Sequence, residues 1–523
     1  MKIRISRTQL LLAAIIMGAA TLRLQLIDQP FVDQYGWRET STAMMADNFW
    51  RRNWNILYPE ISWNGPGPSY NGREFQTVSY IAALLYSVVG QHDWVGRSVA
   101  VLFGLWGIFA LYQLTRQVWD QKHGLMAAAL MALIPGSIFT DREFLPDPAM
   151  VALITTGCWL LVRYCKHERF SDLWLAIVIS ASGFLTKLTG LVVGIPMLYA
   201  SFTILRQKQR LNYKMVVTIA IAVLLTLIPV VAYYLWARYL YLNYPPHHFA
   251  GAGSWLWDQG FMTWINERYY LPKLYRHFDG WIWTKPVLGL VCLGLVLPPP
   301  QQLSNSNPDP EAFWGKAPWF FHWWIVGVGV YYFIGCKHLV DQPYNFHLAN
   351  PAAAALSGHA ILSIASLFRR RSQTPVVLAC ILTILLVIGL FGHRRLPSVY
   401  RPVLEPSYRL GIELQKLAEP DDLVVSIADE IGNPVMIYYS HRRGWIFPPA
   451  WSETSWWDDL AAGQDQDLIP LLEELHNQGS DWIGIVTSQY EKLRASNSKF
   501  IEYIEQNFEL KYSGDAGLIY RIS

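Results

Sequence analysis

The sequence has little charge and little cysteine chemistry. Only 15% of the 523 residues are charged, and the formal net charge is +3. So small a positive charge gives no electrostatic footprint for nucleic-acid binding. The five cysteines lie in or beside apolar runs and form no CxxC pair, so they indicate no disulfide framework. No small-residue cleavage site follows the first apolar run, which we therefore interpret as a retained membrane span.

Long apolar runs are what the sequence does have. Hydrophobic residues make up 52% of the chain, and its mean hydropathy is +0.19. This pattern predicts an α-helical polytopic membrane protein, since about twenty apolar residues cross a bilayer as a helix. We predict eleven spans, roughly at residues 9–27, 97–117, 124–140, 148–164, 172–186, 188–206, 215–238, 283–298, 317–335, 348–367 and 375–392. The shorter run 77–90 is typical of a helix lying at the membrane interface.

The positions of lysine and arginine predict the orientation. Cytoplasmic loops are enriched in these residues, and the eleven-span order matches this rule when the N-terminus is cytoplasmic. Arg394 and Arg395 are exceptions just after the last span. The long first loop (28–96) and the C-terminal segment are then extracytoplasmic. We expect a multi-pass membrane protein with its N-terminus in the cytoplasm.

The C-terminal segment differs in character from the rest of the chain. Short apolar or alternating runs such as "DDLVVSIA" and "DWIGIVTS" are separated by polar, helix-like stretches such as "DLIPLLEELHNQ". This alternation predicts a small α/β domain. We therefore expect a transmembrane domain at residues 1–395, which includes the loop 28–96, and an external α/β domain at residues 396–523.

One short loop carries an unusual number of charges. The stretch "TDREFLPDPAM" places Asp141, Arg142, Glu143 and Asp147 between two apolar runs, on the outer side in the eleven-span order. Solvated loop charges are one interpretation. Asp147 also precedes Pro148 at the mouth of a span, where an aspartate can cap the free amides of a helix.

A resemblance to a known family runs from Gly36 to Tyr164. It is carried by "GWRETSTAMMADNFWRRNWNILYP", "YNGREFQTVSYIAALLYSVVGQHDWVGRSVAVLFGLWG" and "DREFLPDPAM". The region resembles bacterial relatives of the protein O-mannosyltransferases and aminoarabinose transferases, in the GT-C superfamily of glycosyltransferases that use polyprenyl-phosphate sugars. The family has eleven to thirteen spans and an external C-terminal domain, which implies the same GT-C-like fold here.

The resemblance also implies site residues. The acidic pair of the family's first external loop falls on Arg38–Glu39, the acid before the interfacial helix on Glu74, and the acid that opens the fourth span on Asp147. Arg38 stands where many members have the first aspartate. Either Glu39 is therefore the only acid of this pair, or Asp33 takes the place of the missing aspartate. Gln76 replaces the usual proline.

The expected chemistry is transfer of a sugar from a polyprenyl phosphate to an extracytoplasmic acceptor, which is a protein, a lipid or a glycan. A carboxylate can deprotonate the acceptor hydroxyl, and we assign Asp147 and Glu39 as base and orienting group. Glu74, with Glu39, is a candidate ligand for Mg²⁺ or Mn²⁺. Cations stabilise the leaving phosphate, and the candidates for this role are Arg142, Lys187, Lys337 and His338. For Lys187, snorkelling to the membrane surface is the alternative.

Two other functions are compatible with a polytopic chain. A transporter or flippase of lipid-linked sugars carries ionisable residues near the middle of its spans. Here the charges concentrate at loop edges, and His322 and His359 are the main polar residues within spans. A non-catalytic subunit with an external domain has no need for acids in two separate loops. The sequence favours an enzyme.

Overall fold

The fold is described from a computed structural model, which describes residues 6–247, 268–300, 316–336, 339–369, 374–430, 432–449 and 468–522. Its main elements are helices. In chain order they are α1 Arg7–Arg23, α2 Gly36–Arg51, α3 Thr77–Val89, α4 Asp93–Val118, α5 Gln121–Leu133, α6 Pro135–Thr140, α7 Asp147–His167, α8 Phe170–Thr186, α9 Gly194–Gln207, α10 Tyr213–Asn243, α11 Tyr270–His277, α12 Thr284–Val296, α13 Phe320–Ile334, α14 Asn350–Arg369, α15 Thr374–His393, α16 Leu396–Val399, α17 Glu405–Leu417, α18 Val435–Ser440, α19 Ile469–Asn477, α20 Thr487–Ser496 and α21 Ser498–Asn507.

The apolar runs fold as helices, as the hydropathy pattern predicts. Each predicted span coincides with one helix or with two consecutive helices. Within the described residues, six helical segments are long and apolar enough to cross a membrane. The number is seven if the pair α11–α12, which is bent by 112°, counts as one span. A multi-pass membrane protein is therefore confirmed, while eleven spans remains a prediction. The short run before residue 90 forms the separate helix α3.

The chain divides into two compact units. The first, called the helical unit, comprises Met1–Ile27, Arg97–Leu235 and Gly251–Ser398. The second, called the mixed unit, comprises Asp28–Gly96, Trp236–Ala250 and Val399–Ser523.

Small residues set the packing of the helical unit. Helix α7 packs along α8, and α14 packs against both α5 and α12. A Cβ atom added at Gly157 of α7 would lie 2.1 Å from the Ser180 Oγ of α8, and one at Gly294 of α12 would lie 2.3 Å from the Leu356 carbonyl oxygen. Such close approach of helix backbones is typical of membrane proteins, where packing drives association.

The mixed unit contains a five-stranded sheet of order β2-β1-β3-β5-β4. The strands are β1 Leu423–Ile427, β2 Arg443–Ile446, β3 Ser480–Val486, β4 Glu509–Gly514 and β5 Gly517–Arg521. Strand β1 is parallel to β2 and β3, and β5 is antiparallel to β3 and β4. Along β1, Val424 faces one apolar cluster while Val425 and Ile427 face another, because side chains alternate along a strand. The predicted C-terminal α/β fold is confirmed.

Reporter fusions test the predicted orientation. We expect extracytoplasmic signals from fusions in the loop 28–96 and at residue 500, and cytoplasmic signals from fusions at residues 207–213 and 369–374. The physical reason is the retention of lysine- and arginine-rich loops in the cytoplasm. A cytoplasmic signal from residue 500 would contradict the eleven-span order.

Candidate active site

The charged loop between α6 and α7 is buried. Asp141, Arg142, Glu143 and Asp147 are each at most 1% exposed. Charged groups are stable out of water only when they are paired and hydrogen-bonded. Burial excludes the interpretation of this loop as solvated surface charge, and each of the four side chains has its own partners.

Asp141 lies in a cationic environment within the helical unit. Its Oδ2 accepts a hydrogen bond from Arg23 Nε at 2.9 Å, and the His347 Nε2 lies 3.0 Å from Oδ1. Burial by itself raises the pKa of Asp141, but Arg23 and His347 outweigh it and hold the pKa below its ordinary value. This carboxyl group is therefore a fixed anion at neutral pH.

Further polar contacts fix this arrangement. Asn350 Nδ2 lies 3.1 Å from His347 Nδ1, and the Asn350 side-chain oxygen accepts a hydrogen bond of 2.8 Å from Trp283 Nε1. Gly104 leaves room for Asp141, because a Cβ atom at residue 104 would lie 2.5 Å from the Asp141 Cγ. The network thus joins α4, α14, the end of α6 and the residue before α12.

Arg142 is bound to the protein itself. Its Nε and Nη2 donate to the carbonyl oxygens of Gln25 and Leu26 at 3.0 and 2.7 Å, and its Nη1 donates to Glu143 Oε1 at 2.8 Å. These bonds tie the chain after α1 to the charged loop. The predicted role of Arg142 in phosphate binding remains a prediction, and in this arrangement its guanidinium is occupied by structural contacts.

Asp147 and Lys187 form a buried ion pair in the helical unit. Asp147 is the first residue of α7, and Lys187 directly follows α8. The Lys187 Nζ donates to both Asp147 oxygens, at 2.8 and 3.0 Å, and to Asn345 Oδ1 at 2.8 Å. It also lies 4.8 Å from the centre of the Tyr344 ring. The sequence predicted the acid and the lysine separately, and the structure brings them together.

Two alternatives for these residues do not match the geometry. No side chain caps the N-terminus of α7, so Asp147 is not a helix cap. Lys187 is 7% exposed, so it does not snorkel to the surface. Asn345 and Tyr344 were missed by the sequence analysis. The polar run "DQPYNFH", which follows an apolar span, was the signal that could have identified them.

The other predicted residues lie in the mixed unit or outside the described residues. Glu39 is buried in the first turn of α2, and a carboxylate oxygen of the buried Asp33 lies within 4.8 Å of one of its oxygens. Glu74, a predicted metal ligand, forms an ion pair with Arg38. Lys337 and His338 lie outside the described residues.

Comparisons with known proteins agree with this architecture. Residues 77–236, which include Asp147 and Lys187, match the model of the dolichyl-phosphate-mannose-protein mannosyltransferase family. No curated protein sequence matches the chain.

Solved structures resemble the whole chain. One is ArnT from Cupriavidus metallidurans bound to undecaprenyl phosphate, with a TM-score of 0.57, 12% identity, and coverage of 98% of this chain and 97% of that one. A second is the Archaeoglobus fulgidus oligosaccharyltransferase in complex with Zn and sulfate, with a TM-score of 0.60, 11% identity, and coverage of 98% and 73%.

A third is AglB from the same archaeon, with an inhibitory peptide and a dolichol-phosphate, at a TM-score of 0.57, 11% identity, and coverage of 99% and 74%. The resemblance seen in the sequence is therefore confirmed: this chain has the fold of the GT-C glycosyltransferases, and residues 77–236 match the dolichyl-phosphate-mannose-protein mannosyltransferase family.

Proposed function

We propose that the protein is a membrane glycosyltransferase that moves a sugar from a polyprenyl phosphate to an extracytoplasmic protein, lipid or glycan. The observation that carries this proposal is the buried cluster of Asp147, Lys187 and Asn345. Asp147 and Lys187 of this cluster lie within the segment 77–236 that matches the mannosyltransferase family. A buried ammonium group held by one carboxylate and one amide is suited to receiving a phosphate. Structural relatives solved with undecaprenyl phosphate or a dolichol-phosphate support the donor class.

The proposed step is a single displacement that inverts the anomeric carbon. The acceptor oxygen bonds to C1 of the sugar and loses its proton to a carboxylate. The bond between C1 and the phosphate oxygen breaks, and its electron pair leaves with the polyprenyl phosphate. Lys187 stabilises the charge on this leaving group. When the donor phosphate replaces Asp147 as the partner of the Lys187 ammonium group, the oxygens of Asp147 become available to accept the proton of the acceptor hydroxyl.

Glu39 is the second carboxylate of the proposal, and a divalent cation fits its surroundings. The carboxylate oxygens of the buried Asp33 and Glu39 lie within 4.8 Å of each other, a separation that two ligands of one cation can have. Oxygen ligands of this kind suit Mg²⁺ or Mn²⁺. Bound there, the metal would supply positive charge for the departing phosphate. Glu74 stays a candidate ligand, with Arg38 as its present partner.

We place the reaction at the outer face of a bacterial inner membrane, with the N-terminus in the cytoplasm. The distribution of basic residues supports this orientation. No observation favours the transporter alternative. The transferred sugar in this proposal is a hexose or a pentose.

A transfer assay tests the proposal. Purified protein is incubated with polyprenyl-phosphate sugars and a membrane extract as acceptor, and the released polyprenyl phosphate is measured. We expect release that depends on both donor and acceptor, with inversion at C1 seen by NMR. Prior chelation should abolish release, and Mg²⁺ or Mn²⁺ should restore it. Export of intact lipid-linked sugar without cleavage would contradict the proposal, and full activity after chelation would remove the metal from it.

A further inference from the structure

A second polar site lies in the mixed unit, on the C-terminal half of α2. It is a cavity of about 60 Å³ between this helix, α18 and the two residues that follow α18. Its charged lining consists of Arg51, Arg52, Arg442 and Asp47, together with His441. Three arginines face one aspartate, so the cavity has a surplus of positive charge. This composition is suited to an anion.

The arginines are incompletely neutralised. Arg51 Nε lies 2.6 Å from Asp47 Oδ1, but the nearest acid of Arg52 is Glu60 at 3.8 Å. Arg442 donates to backbone carbonyl oxygens, including that of Ala418 at 2.6 Å, and not to an acid among the residues that the structure describes. Its buried Nε has no hydrogen-bond partner in that part of the chain. Such an orphaned donor beside a cavity indicates a missing acceptor.

An exposed apolar helix face adjoins this cavity. On α3, the side chains of Leu84, Leu85, Val88 and Val89 are between 38% and 81% exposed. Their spacing places them on one face of the helix. An apolar face of this kind marks a partner or a membrane surface.

Gln91 connects the apolar face to the cavity. It lies just beyond the end of α3, where its side-chain oxygen accepts a hydrogen bond from Arg51 Nη2 at 2.8 Å. Its Nε2 donates to the hydroxyl of Tyr438, a residue of the cavity wall, at 3.1 Å. Apolar side chains and an arginine-lined cavity therefore lie side by side.

We propose that this cavity binds the phosphate of an anionic phospholipid headgroup, with the exposed face of α3 among the acyl chains. Helices that lie at a membrane interface place an apolar face among the upper acyl chains and basic residues at the level of the headgroups. Guanidinium groups match phosphate oxygens in geometry and charge. A free phosphate would occupy the cavity but would leave the α3 face without a role, so the lipid accounts for both features. The inference is independent of the proposed sugar transfer.

The test compares ligands and variants of the full-length protein in detergent. Thermal unfolding is followed while phosphatidylglycerol, phosphatidylcholine or inorganic phosphate is added. We expect phosphatidylglycerol to raise the melting temperature of the wild type, and phosphatidylcholine to have no such effect. Arg51→Gln with Arg52→Gln should weaken the apparent affinity for phosphatidylglycerol by roughly tenfold or more.

Two single variants complete the test. Arg409→Gln is the control, because Arg409 pairs with Glu405 at the same i,i+4 spacing as Arg51 with Asp47. It should leave the affinity for phosphatidylglycerol unchanged. Val88→Asn should weaken binding of phosphatidylglycerol but not of inorganic phosphate. The proposal is overturned if the double variant and Arg409→Gln respond alike. It is also overturned if inorganic phosphate stabilises the wild type as strongly as the lipid, which would assign the cavity to a soluble anion.

Discussion

Asp147→Asn should lower turnover by roughly two to four orders of magnitude, the range expected for loss of a catalytic carboxylate. Asparagine keeps the size of the side chain but removes its charge. Lys187 then loses the counter-ion that holds its Nζ at 2.8 Å, and in the proposed mechanism the acceptor hydroxyl loses its base. The measurement is single-turnover transfer from a polyprenyl-phosphate sugar by purified protein. Lys187→Gln should raise the apparent KM for the donor and also lower turnover, because in the proposed mechanism the ammonium group binds the donor phosphate and stabilises the further charge that develops on it in the transition state.

The control for Asp147→Asn is another buried acid of the same helical unit. Asp172 near the start of α8 is 3% exposed and lies 3.1 Å from Arg163 Nη2. Asp172→Asn should cost a similar amount of thermal stability but leave turnover near that of the wild type. Since Asp147 and Lys187 act as one unit, the double variant should be little worse than the more damaging single variant. Retention of more than about a third of the turnover by Asp147→Asn would reduce this carboxylate to a structural ion-pair partner.

Arg23→Met should destabilise the protein by about 3–5 kcal/mol, the range measured when one partner of a buried ion pair is removed. The arginine side chain is fully buried and neutralises Asp141. It also donates to the carbonyl oxygens of Met131 and Ala132 at the end of α5. Removal therefore leaves a buried carboxylate whose remaining close partner among the described residues is His347, with Nε2 at 3.0 Å. We expect the apparent melting temperature to fall by roughly 5 °C.

Two variants separate this effect from simple loss of an arginine. Arg409→Gln removes an exposed pair, which contributes only about 0–1 kcal/mol, so its melting temperature should hardly change. Arg23→Met combined with Asp141→Leu removes both charges and should recover much of the lost stability. If Arg23→Met melted like the wild type, the network around Asp141 would not stabilise the fold.

Lowering the pH should weaken the contribution of the network around Asp141 to stability. The folded-state pKa of Asp141 is lowered by Arg23 and His347 despite burial. This contribution to stability is therefore complete above the ordinary aspartate value, about 3.9, and is lost as the pH falls through the lower folded-state value. Arg23→Met should weaken this acid dependence.

Much of the architecture follows from local sequence patterns. Apolar run length marked the helices of the helical unit, and alternation marked the α/β fold after residue 396, because both signals depend on neighbouring residues alone. The loop that carries Asp141 and Asp147 was recognisable because charges between two apolar runs are unusual. Resemblance to the family added Glu39 and Glu74.

The partners of these charges were decided only by the tertiary structure. Arg23 lies 118 positions before Asp141, and Asn345 lies 158 positions after Lys187. A helix that is apolar on all sides has no polar face to show which way it is turned. Its rotation and neighbours are set by packing of small residues such as Gly157. The sequence by itself therefore determined which segments are helical and which loop is charged, whereas packing decided that Asp147 meets Lys187 and that Asp141 meets Arg23.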